Sequence, residues 1–216
     1  MRHAPILAFA LAFLAPAACE NTAPGKVVGG LAAVASAPVE MLTPLPEYMG
    51  PYRGRQYWAR TNLFVSPDGA LGHPSPEGGV PFIPAGTPLV VAELHKDWVG
   101  LRDDIHGASV RIALGRSESE YWFRHQLALV VSWNDPAPEL EKIRDAIRQE
   151  IASATVRPGM VNRHVFLAWG RPDGADGAAT GTMNADDILA ARTWSYAGPR
   201  ETTLRFDESG RLETVE

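Results

Sequence analysis

Hydrophobic and polar positions follow three different patterns along this chain. From Ala4 to Ala15 they are almost uniformly apolar, with Ile6, Leu7, Phe9, Leu11, Phe13 and Leu14. From about residue 47 to 134 they form short runs rich in β-branched and aromatic residues, broken by proline and glycine. Tyr57–Val65, Pro88–Leu94, Trp98–Arg102 and Ser109–Leu114 read as strands; Ser66-Pro67-Asp68-Gly69 and Pro84-Ala85-Gly86-Thr87 are turns, where proline fixes φ and glycine permits positive φ. Such spacing predicts a small barrel or sandwich. The apolar stretch Tyr121–Val131 reads as a further strand or as the start of the connection to the next segment.

After Trp133-Asn134-Asp135-Pro136 the period changes. Leu140, Ile143, Ile147, Ile151 and Ala154 recur at spacings of 3, 4, 4 and 3, one apolar stripe of an amphipathic helix, with Asp135 as its cap and Pro136 at its first position. A second, short helix is expected after Gly159-Met160, ended by Gly170 with Pro172 as a stop. Then Thr193–Tyr196, Thr203–Phe206 and Leu212–Val215 alternate as strands, and Asp207–Gly210 turns between the last two. The loop from Asp173 to Arg192 leaves room for a short capped helix over 184–191. The fold class is therefore α+β: 1–18 a signal peptide, 19–46 a flexible tether, 47–134 a strand-rich, barrel-like domain, and 135–216 a domain of two helices and a three-stranded antiparallel sheet.

Composition adjusts this picture in two places. With 216 residues, a net charge of −5 and 45% hydrophobic residues, the chain has ordinary globular proportions. Its acidic balance argues against nucleic acid as a partner, which calls for a basic face. The one cysteine, Cys19, excludes an internal disulfide and any multi-cysteine zinc site.

The apolar run is too short to span a bilayer, which takes ~20 residues, but it has the length and basic flank of a signal-peptide core. It ends in Ala15-Pro16-Ala17-Ala18-Cys19, which resembles the bacterial lipoprotein signal, although Pro16 stands where leucine is usual. The resemblance implies that Cys19 becomes the acylated N-terminus, a palmitate-type lipid anchor, and that Glu20 directs the chain to the outer membrane, facing the periplasm. Each buried CH₂ contributes ~0.8 kcal/mol, so several acyl chains hold a protein on a membrane without a spanning helix. The alternative is a secretory signal cut after Ala17 or Ala18, leaving a free thiol and a periplasmic protein. The segment from Glu20 to Pro44, without aromatic residues, is expected to be a tether; the other reading gives Val34–Val39 as an edge strand.

Gly159-Met160, Val165, Gly170 and Pro172 stand in the pattern G-M-x-x-x-x-V-x-x-x-x-G-x-P, followed by Trp194-x-Tyr196, Leu204-x-Phe206, Gly210 and Leu212. Over roughly residues 137–216 this resembles the BamE-like (SmpA/OmlA) family of outer-membrane lipoproteins. Val161 departs from the family's capping Ser or Thr, and Asn162 is the substitute one residue on. The resemblance implies two helices, a three-stranded sheet, and a non-enzymatic binding or scaffold role in envelope assembly, with envelope β-barrel or assembly proteins as partners. The alternative is a secreted inhibitor-like or peptidoglycan-binding module, since the family's helix-plus-sheet fold resembles that of secreted β-lactamase inhibitors.

Little else in the sequence carries chemistry. No nucleophile elbow, zinc-protease helix or phosphate loop is present, no catalytic residue set can be assembled, and no metal or cofactor is implied. Asp173 and Asp176 lie three apart in a glycine-rich stretch that reads as a mobile loop without the ligand spacing of a calcium site. Asp103-Asp104-Ile105-His106 reads as a solvated turn, and His164 as a half-buried or surface residue. Of the six tryptophans, Trp98, Trp122 and Trp194 are expected in the core. Trp58, beside Tyr57 and near Tyr52, is the candidate exposed aromatic site for a sugar or wall partner. Metabolic labelling with a palmitate analogue should mark the wild-type chain and not Cys19→Ala; label surviving the substitution would exclude the anchor.

Overall fold

The computed structural model describes residues 45–114, 119–198 and 200–216. The signal, Cys19 and nearly all of the tether lie outside the described residues. Those that are described belong to one compact unit of mixed α+β structure, built on two five-stranded sheets.

The first sheet is antiparallel and curls into half a barrel. It contains β1 (Gln56–Ala59), β4 (Pro88–Leu94), β5 (Trp98–Asp103), β6 (Ser109–Ala113) and β7 (Val131–Ser132), in the order β6-β5-β4-β1-β7. Alternation along β4 and β6 sends Leu89, Val91, Val110 and Ile112 inward. The strand expected over Tyr57–Val65 is broken after Ala59, and its remainder, β2 (Leu63–Phe64), pairs with β3 (Phe82–Ile83) in a separate ribbon.

The stretch Tyr121–Val131 is neither a strand nor a bare connection. Most of it is helix α1 (Glu120–Val130), with Ser119 as N-cap accepting from the Trp122 N–H at 3.2 Å. Phe123, Leu127 and Val130 recur at helical spacing and fill the half-barrel against Tyr52 and Leu101. The chain then returns as β7 beside β1.

The single helix expected from Pro136 to Ala154 is also divided, into α2 (Ala137–Leu140) and α3 (Asp145–Ala152). Pro136, expected as the first helical residue, is itself the N-cap and offers no side-chain cap; Asp135 stands one residue before it and accepts from the Ala137 N–H at 2.8 Å. The stripe serves two destinations. Leu140 sits over the turn at Gly86, while Ile147 and Ile151 enter the second core. Arg144, in an extended conformation, makes the change of direction.

Helix α4 (Asn162–Trp169) starts after Val161, which offers no side-chain cap. Asn162 does not replace the cap: its amide oxygen accepts from the neighbouring Arg163 N–H, and its amide nitrogen donates to the Leu189 carbonyl. Gly170 closes the helix at φ +76°. Next come a hairpin, β8 (Gly174–Ala175) and β9 (Ala178–Ala179), and helix α5 (Ala185–Ala190) capped by Asn184. Strands β10 (Thr193–Ala197), β11 (Glu201–Phe206) and β12 (Leu212–Val215) complete the second sheet, ordered β12-β11-β10-β8-β9. The hairpin enlarges the expected three-stranded sheet to five.

The motif residues sit where packing and backbone need them. Met160, Val165, Trp194, Tyr196, Leu204 and Phe206 form the second core. Trp169 and Tyr196 meet edge-to-face with centroids 5.5 Å apart, and the Tyr196 hydroxyl donates to the Gly170 carbonyl. Gly159 and Gly210 both have positive φ, and Pro172 is buried.

Asn62 ties the two sheets together. Its buried amide nitrogen donates to the carbonyls of Ile151 (2.6 Å) and Ala168 (3.0 Å), and its amide oxygen accepts from the Ala85 N–H at 2.8 Å. The break in the expected strand is where this side chain turns into the interior. A second tie runs from Arg171 Nη1 to Gln126 Oε1, and from Gln126 Nε2 to the Gly181 carbonyl. Leaving a buried polar group unsatisfied costs about 1–3 kcal/mol. Asn62→Ala takes this partner from the Ala168 carbonyl and the Ala85 N–H, while the Ile151 carbonyl keeps the Ala154 N–H, and should lower stability by roughly 2 kcal/mol or more in urea unfolding. Asn62→Asp should not rescue it, because a carboxylate would face two carbonyl oxygens.

Candidate functional site

Arg60 and the segments from Ala128 to Ile147, Arg163 to Leu167 and Leu189 enclose a groove of about 680 Å³. One wall is the continuous segment from Val131 to Pro136, and the opposite side is built by α2, α3 and α4. Its floor is apolar, with Val131, Leu140, Ile143, Ile147, Phe166 and Leu167. Ile147 and Phe166 of this floor also face the second core, while Ile143 and Leu140 are only half covered.

The groove is also cationic, although the chain as a whole is acidic. Arg60, Lys142, Arg144 and Arg163 line it, against Asp135 and Glu139. Lys142 pairs with Glu139 at 2.6 Å, and Asp135 accepts from the Ala137 N–H ahead of α2. Among the described residues, Arg60, Arg144 and Arg163 have no carboxylate within salt-bridge distance. Arg60 donates from Nη1 to the Ala128 carbonyl at 2.7 Å. Burial pushes its guanidinium below the usual arginine value; Asp186 opposes that shift and Arg163 adds to it.

His164 records the same field. Burial lowers its pKa first, Arg163 and Arg144 lower it further, and Glu150 alone works the other way. The imidazole is therefore held neutral on the wall of a positively charged groove.

Beside the groove lies a shallower depression formed by Glu120, Tyr121, Arg124, His125, Ala128 and Trp133. Ala128 and Trp133 belong to both, so the two are continuous. Tyr121 is 79% exposed and Trp133 37% exposed, and the Arg124 guanidinium lies 5.5 Å from the Trp133 ring centroid. An exposed aromatic lip, an apolar floor and arginines outside any salt bridge together suit recognition better than covalent chemistry.

The sequence-derived aromatic site is not assembled. Tyr52 and Tyr57 are core residues, 5% and 2% exposed, because α1 and Trp133 cover them; Tyr52 meets Phe123 and Tyr57 meets Trp133 edge-to-face. Trp58, on the opposite face of β1, is half-buried. Trp194 is fully buried as expected, whereas Trp98 and Trp122 are half-buried and stack on His95 and His125.

The acidic positions have backbone duties. Asp173 accepts from the Ala197 N–H and pairs with His73, and Asp176 accepts from the N–H groups of Arg192 and Thr193, which folds the expected mobile loop into the β8–β9 hairpin. Asp103 is buried rather than solvated. Burial alone would raise its pKa, but the Ile105 N–H and the His106 imidazole and N–H outweigh that and hold it low. Among the described residues no cluster of three or more His, Cys, Asp or Glu side chains could hold a metal ion.

The groove went unseen in the sequence for a simple reason. Arg60 belongs to the first sheet's segment and Arg144 and Arg163 to the helical one, so no one-dimensional spacing joins them. The only nearby signal was Trp133-Asn134-Asp135-Pro136, which marks a boundary. No family model, curated protein or solved structure matches the chain. The site therefore stands on its own residues.

The His164 environment has a measurable consequence. Its folded-state pKa lies below the unfolded value of ~6.5, so the unfolded chain takes up the proton first as pH falls. Its contribution is complete above pH ~6.5 and is lost as pH falls from there through the folded pKa. NMR titration should give His164 the lower midpoint expected of this site, and His164→Gln should flatten the stability slope in that window. A midpoint at or above the ordinary histidine value would contradict the positive groove.

Proposed function

We propose that this chain is a non-enzymatic binding module of the outer envelope, tethered by acylated Cys19 to the outer membrane, facing the periplasm and acting in envelope assembly. On this reading residues 135–216 are a BamE-like domain with an added hairpin and a divided first helix, and residues 47–134 form a barrel-like companion. The observation that carries the reading is the groove beside Trp133: an apolar floor with three arginines that form no salt bridge among the described residues. Such a surface costs solubility and self-repulsion unless a partner covers it. The groove's apolar floor and its arginines outside any salt bridge are the chemistry of recognition, which supports binding over catalysis.

The tether and the groove have separate parts in this account. The acyl chains confine the protein to a membrane surface, which raises its effective concentration toward membrane-inserted partners. The groove then selects among them. Affinity capture of the full chain from cross-linked membranes should recover an envelope β-barrel or assembly component, and Arg144→Glu, an exposed change, should lose it while the chain stays folded. Recovery unaffected by Arg144→Glu would contradict the assignment of the groove. Retention on purified peptidoglycan, abolished by Trp58→Ala, would favour the wall-binding alternative.

A further inference from the structure

Resting on that reading, we infer that the groove also takes a free single-chain amphiphile with a carboxylate head, and that this ligand regulates the groove by competing with the protein partner.

The volume suits a small molecule. About 680 Å³ falls within the ~300–1,000 Å³ typical of ligand pockets. Two turns of α-helix, about 10 Å across and about 11 Å long, already fill about 850 Å³. Nor does the wall offer its backbone to an extended chain, since Val131 is 1% exposed and its N–H donates to the Leu127 carbonyl. The floor presents side chains without hydrogen-bonding groups instead. Leu140, Ile143, Leu167 and Leu189 are half-buried, so each keeps apolar surface open to the groove. A hydrocarbon chain laid along them removes that surface from water.

The cations stand together. Arg163 acts electrostatically on Arg60, on His164 and on Glu139, and Arg144 acts on His164 as well. Glu139 is paired with Lys142, and Asp186 acts on Arg60 from beyond salt-bridge distance. Arg144 and Arg163 are exposed and form no salt bridge among the described residues. A guanidinium presents a planar fork that takes both oxygens of a carboxylate. Two such forks beside half-buried Arg60 make a head-group site, and the aliphatic floor next to them takes the tail. Charge complementarity calls for an anion, and the floor calls for a chain on it. A short-chain acid meets only the first demand, and an alkyl ammonium only the second. A ligand seated on Arg144 excludes a partner that needs Arg144, so the supply of amphiphile controls partner binding.

Photo-cross-linking of the full chain in phosphatidylcholine nanodiscs with a diazirine-bearing dodecanoate tests this directly. Adducts should fall within 128–147 and 163–167, and dodecanoate should compete for them while acetate does not. Joint Arg144→Glu and Arg163→Glu substitution, at two exposed positions, should lower labelling about tenfold or more. Ile143→Ser, which leaves every charge in place, should lower it too, with the circular-dichroism spectrum unchanged. A diazirine-bearing alkyl trimethylammonium of the same chain length should not label these segments. In the membrane capture above, excess dodecanoate should lower recovery of the partner, and dodecyltrimethylammonium should not.

No adducts in these segments, equal labelling by the ammonium probe, or labelling indifferent to the arginine substitutions would overturn the inference. So would stronger labelling from a photoreactive two-chain phosphatidylglycerol than from the free acid, or partner recovery unmoved by dodecanoate. If recovery still depends on Arg144 while the groove takes no adduct, the binding-module reading survives and only this inference falls.

Discussion

One side-chain amide holds the architecture in register. Asn62 stands at the corner where the first sheet's leading strand breaks, and it binds the last carbonyls of two helices and the backbone of the turn before β4. All three partners are backbone groups at element ends, where helices and strands leave polar groups unsatisfied. A single residue therefore joins α3, α4 and the β3–β4 turn at once. The ends of α3 and α4 have further support from Trp169, whose indole N–H donates to the carbonyl of Ala154, a residue at positive φ. The groove depends on this corner, because Arg60 precedes it by two residues and α4 carries Arg163 and His164 across the gap.

The elements of the second half were largely legible in one dimension. The short helix ended by Gly170, the capped helix after Asn184, and the three C-terminal strands each carry local signals: a positive-φ glycine, an Asn cap, and strict alternation. Where tertiary demands compete with local pattern, reading the sequence fails. Leu140 and Ile151 belong to one regular stripe, yet Ile151 enters the second core while Leu140 stays half-buried over the turn at Gly86, so the helix divides. Tyr121–Val131 looks strand-like by composition, but Phe123, Leu127 and Val130 sit at helical spacing and the half-barrel needs a lid. Asp173 and Asp176 looked like loop residues because capping of distant backbone N–H groups has no local signature.

The candidate site shows the same limit more sharply. Aromatic composition pointed to Tyr52, Tyr57 and Trp58, whereas burial takes the two tyrosines for the core. Among the described residues the exposed aromatic side chains are Tyr121 and Trp133, and their neighbours are arginines contributed from three separate stretches of chain. Charge averaged over 216 residues is negative; charge within the groove is not. That contrast, between an acidic chain and a locally cationic, apolar trough, is what supports a binding role on the helical side of the molecule.

Hydrogen–deuterium exchange compares the chain in its own membranes with the chain purified in detergent, and reads the occupied surface without presupposing a partner. The account predicts slower exchange in membranes over 128–147 and 163–167, the segments that wall the groove, with the β11–β12 hairpin unchanged. Slower exchange confined to β11–β12, with the groove segments indifferent to the membrane, would contradict it.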